Sequence, residues 1–349
     1  MASPPPDLNA ARRAATAWQL SGPVHPVGDP GLINGTWLVG PEDAPAGVLQ
    51  WLNPIFAPEV NRDIDQLTTH LADCGITTPR VVRTPDDALW RPAPRGCWRM
   101  LSFVPGRTLH HVPGRAVALE GGRLVGQFHA ALDNWKAPRH APIRRVHDTP
   151  ARMADLRQAL QGTADHPLYG EVSALAHAIL MDWAQWTGAM DLPERTCHGD
   201  LKISNLRFEK VGAGAICLID LDTVGPMELA CELGDMWRSW CNTAGEDDPD
   251  SVHFDLDIFG ASATGFLETA PALSANERAA LVSATTRICL ELAARFAADA
   301  LLNSYFREDR ARFPQVGSHN LRRARAQHNL SRRAREAQPA CARILGTSA

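Results

Sequence analysis

The sequence lacks any C-x-x-C pair, any uncharged apolar run of membrane-spanning length, and any large excess of one charge. Its eight cysteines, Cys74, Cys97, Cys197, Cys217, Cys231, Cys241, Cys289 and Cys341, stand singly, several of them inside apolar strand or helix patterns. That argues for buried thiols in a reducing compartment and against a structural zinc. The opening Pro4-Pro5-Pro6-Asp7 lacks the basic-then-apolar order of a secretion signal, so a cytoplasmic protein is expected. A net charge of −4 gives no sign of a nucleic-acid or membrane partner. What is present is an ordinary globular composition: 349 residues, 45% hydrophobic and 21% charged, enough to bury two lobes.

The most informative stretch is 197–222, reading CHGDLKISNLRF and then AICLIDLD. Asp200 is followed by Lys202, Asn205 and, on the next apolar run, Asp220. Leu206 and Phe208, then Ile216 to Ile219, predict two strands of a hairpin closed at Gly212 and Gly214, which would bring Asp200, Asn205 and Asp220 to one end. These residue types suit phosphoryl transfer. Its loose transition state asks little covalent work of the protein, so catalysis is positioning plus neutralisation of phosphate charge. Asp220 and Asn205 offer hard oxygen ligands for Mg²⁺. Asp200 is the candidate base, orienting the acceptor hydroxyl and taking its proton late, and Lys202 would lie against the transferring phosphate. The bland alternative is a solvated polar loop. It requires His198, Gly199 and the second strand's aspartate all to recur by chance.

This pattern, His-x-Asp-x-x-x-x-Asn followed by an Ile-Asp strand, resembles the protein-kinase-like small-molecule kinases, the superfamily of aminoglycoside phosphotransferases and choline kinases. Four further segments are similar to the N-acetylhexosamine 1-kinase-like family within it: 31–36 (GLINGT), 49–53 (LQWLN), 219–224 (IDLDTV), and Gly234-Asp235-x-x-Arg238 running into 242–247 (NTAGED). Tyr305-Phe306 with 319–327 (HNLRRARAQ) is similar to that family's ending. The resemblance implies an α+β, bilobal protein-kinase-like fold. A small N-terminal lobe, 1–104, would carry an antiparallel sheet plus one helix and bind nucleotide. A larger, mainly helical lobe, 105–349, would hold catalysis and substrate. The implied reaction is ATP- and Mg²⁺-dependent transfer of the γ-phosphate to a sugar hydroxyl, foremost the anomeric hydroxyl of an N-acetylhexosamine or related hexose. The alternatives are another hydroxyl acceptor, such as an aminoglycoside or an amino alcohol, or a nucleotide-binding pseudokinase. The resemblance also implies that His198, Asp235 and Arg238 support the loop and that Arg295 and Tyr305 help to hold the sugar. A monomer or weak homodimer is expected.

Nearer the N-terminus, 31–39 and 47–53 read as short strands around the turn at 41–46, a hairpin with a glycine-rich entrance. Gly28, Gly31 and Gly35 would let backbone amides approach a triphosphate, although glycines at a turn also serve turn geometry alone. Through the resemblance, Asn34, Thr36 and Gln50 join the nucleotide site, and Phe103 marks the hinge at 101–106 against which adenine would sit. Val60, Ile64, Leu67 and Leu71 share one face of a helix with Pro58 in its first turn and Gly75 as its stop. In protein kinases such a helix carries a carboxylate paired to a lysine of the preceding strand. Here that strand reads Leu49-Gln50-Trp51-Leu52, without a cation, and the resembled family generally carries Gln at this place. Trp51 stands where relatives often show arginine. One lost phosphate-directed cation would cost roughly 3 kcal/mol of transition-state stabilisation if nothing replaced it, so Lys202 and the metal would carry more of the charge. Asp63 has two readings, a bond to Gln50 or an exposed place on a solvated helix face.

Further along, Arg115 to Trp135 shows helical periodicity, with His129 read as packing, and 147–189 reads either as an acceptor lid or as plain scaffold. Ser274 and Glu277 form a capping box that starts a helix through Leu281, Ile288, Leu292 and Phe296. Asp222 alternates with Asp220 and is read as binding backbone groups of the turn at Val224-Gly225 rather than as a ligand. Glu246-Asp247-Asp248 with Asp250 is either a receptor for a cationic acceptor or a solvated loop. Arg322, Arg323, Arg325, Arg332, Arg333 and Arg335 read as the solvated face of a helix packed on the large lobe. A nucleic-acid surface is not expected there, because the chain is acidic and no aromatic residues interleave the run.

Overall fold

The structure, a computed structural model, describes residues 5–20, 22–27, 33–143 and 145–347. The chain divides into two units. The first takes Met1–Arg107, Asn134–Ile143 and Ile216–Asp222; the second takes Thr108–Asp133, Arg144–Ala215 and Thr223–Ala349.

The first unit is built on an antiparallel sheet. Its strands β1 (Val24–Pro26), β2 (Gly35–Val39), β3 (Gly47–Leu52), β4 (Val81–Val82) and β6 (Cys97–Leu101) run in the order β1-β2-β3-β6-β4, and β5 (Arg91–Pro92) pairs with β6. Burial alternates along β2 and β3, as a half-covered strand requires. Trp37, Leu49, Trp51, Trp98 and Met100 cluster with Ala11, Ala15 and Trp18, so a helix α1 (Leu8–Ala15) and the turn after it cover the sheet. The sequence reading did not place this helix. Asp7 caps it, accepting the Ala10 N–H at 2.8 Å, ahead of a run of alanines and arginines that favours helix. The register puts Thr36 opposite Gln50 and Gln50 opposite Arg99, which makes one polar row across three strands. Helix α2 (Val60–Asp73) buries the expected stripe of Val60, Ile64, Leu67 and Leu71, and Gly75 at φ +79° ends it.

The short strand β7 (Arg107–Thr108) carries the chain into the second unit, which is mainly helical. Helix α3 (Arg115–Leu132) packs on α7 (Leu256–Thr269), and α8 (Ala275–Leu302) packs on α9 (Ser318–Leu345), with α4 (Thr149–Gln161), α5 (Tyr169–Ala184) and α6 (Leu229–Trp240) against α8. The α3–α7 contact is close because it is made by glycines. A Cβ on Gly122 would fall 2.2 Å from the Ser262 carbonyl oxygen, and one on Gly265 would fall 2.1 Å from that of Leu119. Strand β8 (Glu194–Cys197) pairs antiparallel with β11 (Gly225–Glu228). Between them in sequence come β9 (Leu206–Phe208) and β10 (Ala215–Leu218), and the turn joining these closes with the Glu209 N–H donating to the Gly214 carbonyl at 2.8 Å. The capping box at Ser274 forms as expected. An antiparallel sheet in the N-terminal region and a helical remainder agree with the expected α+β class.

All eight cysteines are free thiols, and only Cys74 is exposed. No helix among the described residues is long and apolar enough to cross a membrane. On α9, Arg325 bonds Glu171, Arg332 and Arg335 reach Asp182, and Arg333 pairs with Glu336, so these arginines serve packing of the helix and its own surface.

Candidate active site

The segment 198–205 leaves β8 and is held by α6. Glu232, buried on that helix, accepts the His198 N–H at 2.6 Å on one carboxylate oxygen and the Gly199 N–H at 2.8 Å on the other. From the same helix the Trp240 indole donates to the Leu201 carbonyl at 2.8 Å. Thr223 donates its hydroxyl to the His198 carbonyl, also at 2.8 Å. Gly199 lies at φ +85°, and a Cβ there would meet the Thr223 carbonyl oxygen at 2.8 Å, so both conformation and space require glycine. His198 is fully buried, and its Nδ1 accepts the Asp200 N–H at 3.3 Å.

Burial pushes the Glu232 carboxyl up, but His129, His198 and the Gly199 amide outweigh it and hold the group below its ordinary value. His129, on α3, sits edge-on to Phe128 and Phe266 with Nε2 3.5 Å from Glu232, so the expected packing role also sets its ring against this carboxylate. His129, Cys197 and Glu232 bring potential ligand atoms within 4.8 Å of one another. The arrangement does not read as a metal centre. The Cys197 thiol donates to the Met227 carbonyl and is pushed well up by burial, and both Glu232 oxygens already serve amides.

This clamped backbone delivers Asp200. Its Oδ2 accepts Lys202 Nζ at 2.7 Å and Asn205 Nδ2 at 3.0 Å, and the same Nδ2 donates to the Asp200 carbonyl at 2.8 Å. Among the described residues Oδ1 of Asp200 accepts no side-chain hydrogen bond, so it is the atom available to a hydroxyl proton. Both Nδ2 hydrogens of Asn205 are spent, which leaves its Oδ1 as a hard oxygen donor suited to a divalent ion such as Mg²⁺. Sequence expectation set Lys202 against the phosphate; its ammonium here also pairs with the candidate base.

Asp220 and Asp222 fall in the first unit. Asp220 adopts φ +63°, a left-handed conformation that aspartate tolerates better than most residues. Asp222 is buried and takes Arg99 Nη1 at 2.5 Å, Arg99 Nη2 at 2.9 Å and Asn34 Nδ2 at 2.8 Å. These side chains are partners that the reading of Asp222 as a backbone-binding turn residue did not name. Arg99 donates further to Gln50 through Nε at 2.9 Å and Nη2 at 2.7 Å, and to Asn61 through Nη1 at 3.4 Å. All five guanidinium hydrogens are thereby used. Burial opposes its charge, yet the Asp222 carboxylate outweighs burial and keeps Arg99 above the ordinary arginine range.

Three side chains expected at the nucleotide therefore belong to this network: Asn34, whose Oδ1 also accepts the Asn53 N–H at 3.0 Å, and Gln50 and Thr36, bonded to each other at 3.3 Å. Gly35 is close-packed, since a Cβ there would strike the Trp37 ring at 2.5 Å. Phe103 is partly buried just past β6. Gly28 and Gly31 lie outside the described residues. Asp63 takes neither expected role, because its carboxylate accepts the His140 N–H at 2.8 Å and the Ala141 N–H at 3.1 Å and so ties 134–143 to α2. Trp51 is buried, its indole donating to the Arg95 carbonyl at 2.6 Å.

In the second unit Asp235 bonds Arg238 at 2.8 Å, while Glu232, three residues earlier, makes the contacts to the loop. Arg295 and Tyr305 do come together. The guanidinium lies 5.6 Å from the Tyr305 ring centre and 5.3 Å from that of Phe306. Asp299 fixes this corner by accepting the Ser304, Tyr305 and Phe306 amides at 2.8, 3.0 and 2.8 Å. The acidic run is paired. Asp247 meets Arg312 at 3.0 Å and His319 at 3.2 Å, Glu246 meets Arg323 at 3.3 Å, and Asp250 meets Arg322 at 3.4 Å.

Residues 29–261 match the model of the phosphotransferase enzyme family. The chain belongs to that family. It is therefore a phosphotransferase. Its fold is similar to solved structures at low identity. One is an amicoumacin kinase in complex with AMP-PNP, Ca²⁺ and amicoumacin (TM-score 0.61, 13% identity, 90% of this chain and 93% of that one). Others are an aminoglycoside phosphotransferase from Alicyclobacillus acidocaldarius (0.58, 18%, 94% and 96%) and a choline/ethanolamine kinase family protein from Mesorhizobium loti (0.56, 16%, 97% and 97%).

Arg99 and Glu232 are two buried charged residues of these networks that sequence reasoning missed. A signal existed for each: a charged residue inside an apolar strand (CWRML) and inside an apolar helix (LACELGDMW), where only a paired charge survives burial.

Proposed function

We propose that this phosphotransferase uses ATP and Mg²⁺ to phosphorylate a sugar hydroxyl, foremost the anomeric hydroxyl of an N-acetylhexosamine or related hexose. The observation that carries the reaction type is the carboxylate of Asp200, anchored through Oδ2 by Lys202 and Asn205 and, among the described residues, with no side-chain donor on Oδ1. Oδ1 receives the hydrogen bond of the acceptor hydroxyl. As the hydroxyl oxygen bonds to the γ-phosphorus and the bond from that phosphorus to the β,γ-bridging oxygen breaks, the proton passes to Asp200 and ADP leaves. Lys202 keeps positive charge beside the reacting groups. Bound Mg²⁺ supplies neutralisation of phosphate charge, with Asn205 Oδ1 and the Asp220 carboxylate as the oxygen donors that would hold it. The AMP-PNP and Ca²⁺ in the amicoumacin kinase structure support a nucleotide and a divalent ion for this chain.

Charge pairing supports a neutral acceptor. The acidic run that a polycationic aminoglycoside would need is already matched by Arg312, His319, Arg322 and Arg323. The Arg295–Tyr305 corner offers donors and an aromatic face of the sort that a sugar uses. The protein would act in the cytoplasm as a monomer or weak homodimer. Coupled measurement of ADP release over a panel of sugars, aminoglycosides and amino alcohols tests the reading: turnover on a hexosamine or hexose is expected, and Asp200→Asn should bind nucleotide but transfer nothing. Turnover confined to cationic acceptors would replace the sugar assignment, and tight ATP binding without any turnover would replace the enzyme assignment by a regulator.

A further inference from the structure

We propose that Arg99 is a positioning residue for the metal-binding aspartate, acting through Asp222 to set the backbone of Asp220. This rests on Asp220 holding the divalent ion, as in the proposed function. The sheet of the first unit has no lysine available: Lys136, Lys202 and Lys210 are the only lysines of the sequence. Its buried cation is Arg99, on β6 and in register with Gln50. That guanidinium is not left for phosphate. It forms a two-pronged contact with Asp222, 123 residues away in sequence, and spends every remaining hydrogen on Gln50 and Asn61.

The position of Asp222 gives this clamp its consequence. Asp222 sits in the single-turn helix Leu221–Thr223, immediately after the left-handed Asp220. A non-glycine residue in that conformation persists only where its surroundings over-determine it. Here the side chain two residues on is gripped at both oxygens by a planar fork, and Asn34 adds a third bond at 2.8 Å. Asn34 also holds the Asn53 amide, so one network fixes the segment entering β2, the end of β3, helix α2 and the exit from β10. Lysine could not do the same. A point charge with three rotatable donors lacks the fixed fork that engages both carboxylate oxygens and Gln50 together.

The test uses full-length protein and Mn²⁺ as the probe. Mn²⁺ binding is followed by electron paramagnetic resonance with ADP present, alongside thermal melting and steady-state kinetics. Arg99→Lys is expected to weaken Mn²⁺ binding about tenfold or more, in the range that outer-shell changes cost metal sites, with KM for the acceptor unchanged. Because Arg99→Lys can unfold the protein, a double variant, Arg99→Met with Asp222→Asn, removes the buried pair without leaving a lone charge. It should fold and show the same loss. Mn²⁺ affinity within about twofold of wild type in a folded variant overturns the proposal, and so does unfolding of both variants, which would make the pair a stability element only. Failure of the underlying reading looks different: wild type itself would then show no ADP-dependent Mn²⁺ signal.

Discussion

Replacing Glu232 by Gln isolates the clamp on the proposed catalytic loop. The two carboxylate oxygens accept the amides of His198 and Gly199 at 2.6 and 2.8 Å, fully out of solvent. Gln keeps the shape but offers one oxygen. Its NH₂ must then face the other N–H, leaving a buried donor unpaired at about 1–3 kcal/mol, and the surviving bond loses its charge assistance. The loss of stability should therefore be about 2–4 kcal/mol, read from urea unfolding with an unchanged m value. Because the freed amide lies one or two residues before Asp200, the carboxylate should also drift, and misplacement by about 1 Å costs about a hundredfold in rate. Steady-state assays should show kcat falling by about ten- to a hundredfold while KM for nucleotide stays close to wild type. A stability loss with kcat intact would refute the reasoning, since the loop would then be held by Thr223 and Trp240 alone.

Two further predictions follow from charge pairs away from the loop. Glu277 is held down to about 2, because the Arg195 guanidinium and the Ser274 cap outweigh burial, which by itself would raise it. A depressed carboxylate stabilises the fold above its unfolded value near 4.5, and that contribution, roughly 3 kcal/mol, fades as pH falls toward about 2. Glu277→Gln should accordingly lose stability at neutral pH and show a flatter acid limb in pH-dependent melting; an unchanged acid limb would refute the assignment. Separately, KM for the preferred acceptor should be nearly flat between about 0.05 and about 0.5 M salt, whereas a polycation would weaken steeply. A steep rise would show that the paired run at Glu246–Asp250 opens to substrate.

What the sequence made legible was local. Ser274 and Glu277 stand three residues apart and form the capping box that their spacing predicts. Val60, Ile64, Leu67 and Leu71 mark one helical face, and that face is buried. Asp200, Lys202 and Asn205 lie within six positions, and the structure bonds the three side chains together. What it hid was the long-range pairing of charges. Asp63 had two readings, a bond to Gln50 or an exposed helix face, and the structure gives it amides 77 and 78 residues away. Glu232 and Asp235 lie on one turn of α6, and the sequence offers no ground for deciding which meets the loop and which meets Arg238. Arg99 and Asp222 are apart by most of a domain in sequence, and nothing short of the tertiary structure joins them.

The two residues missed from sequence explain how the carboxylates of the proposed base and the proposed metal ligand are held. Asp200 follows a left-handed glycine, Gly199 at φ +85°, and Asp220 is itself left-handed at φ +63°. For the aspartate that backbone has a free-energy cost, for the glycine only an entropic one, and hydrogen bonds between neutral groups, each worth only about 1 kcal/mol net, are weak restraints on either. Each is instead clamped within two residues by a fully buried ion, Glu232 on the amides beside Asp200 and Arg99 on the carboxylate beside Asp220. A buried charge is a poor source of net stability, because desolvation offsets most of its attraction. Its advantage is steepness: charge-assisted bonds in a low-dielectric interior resist displacement far more than neutral ones. In a reaction whose catalysis is chiefly positioning, that resistance is what the fold has to supply, and it accounts for ions at places where an apolar core would be at least as stable.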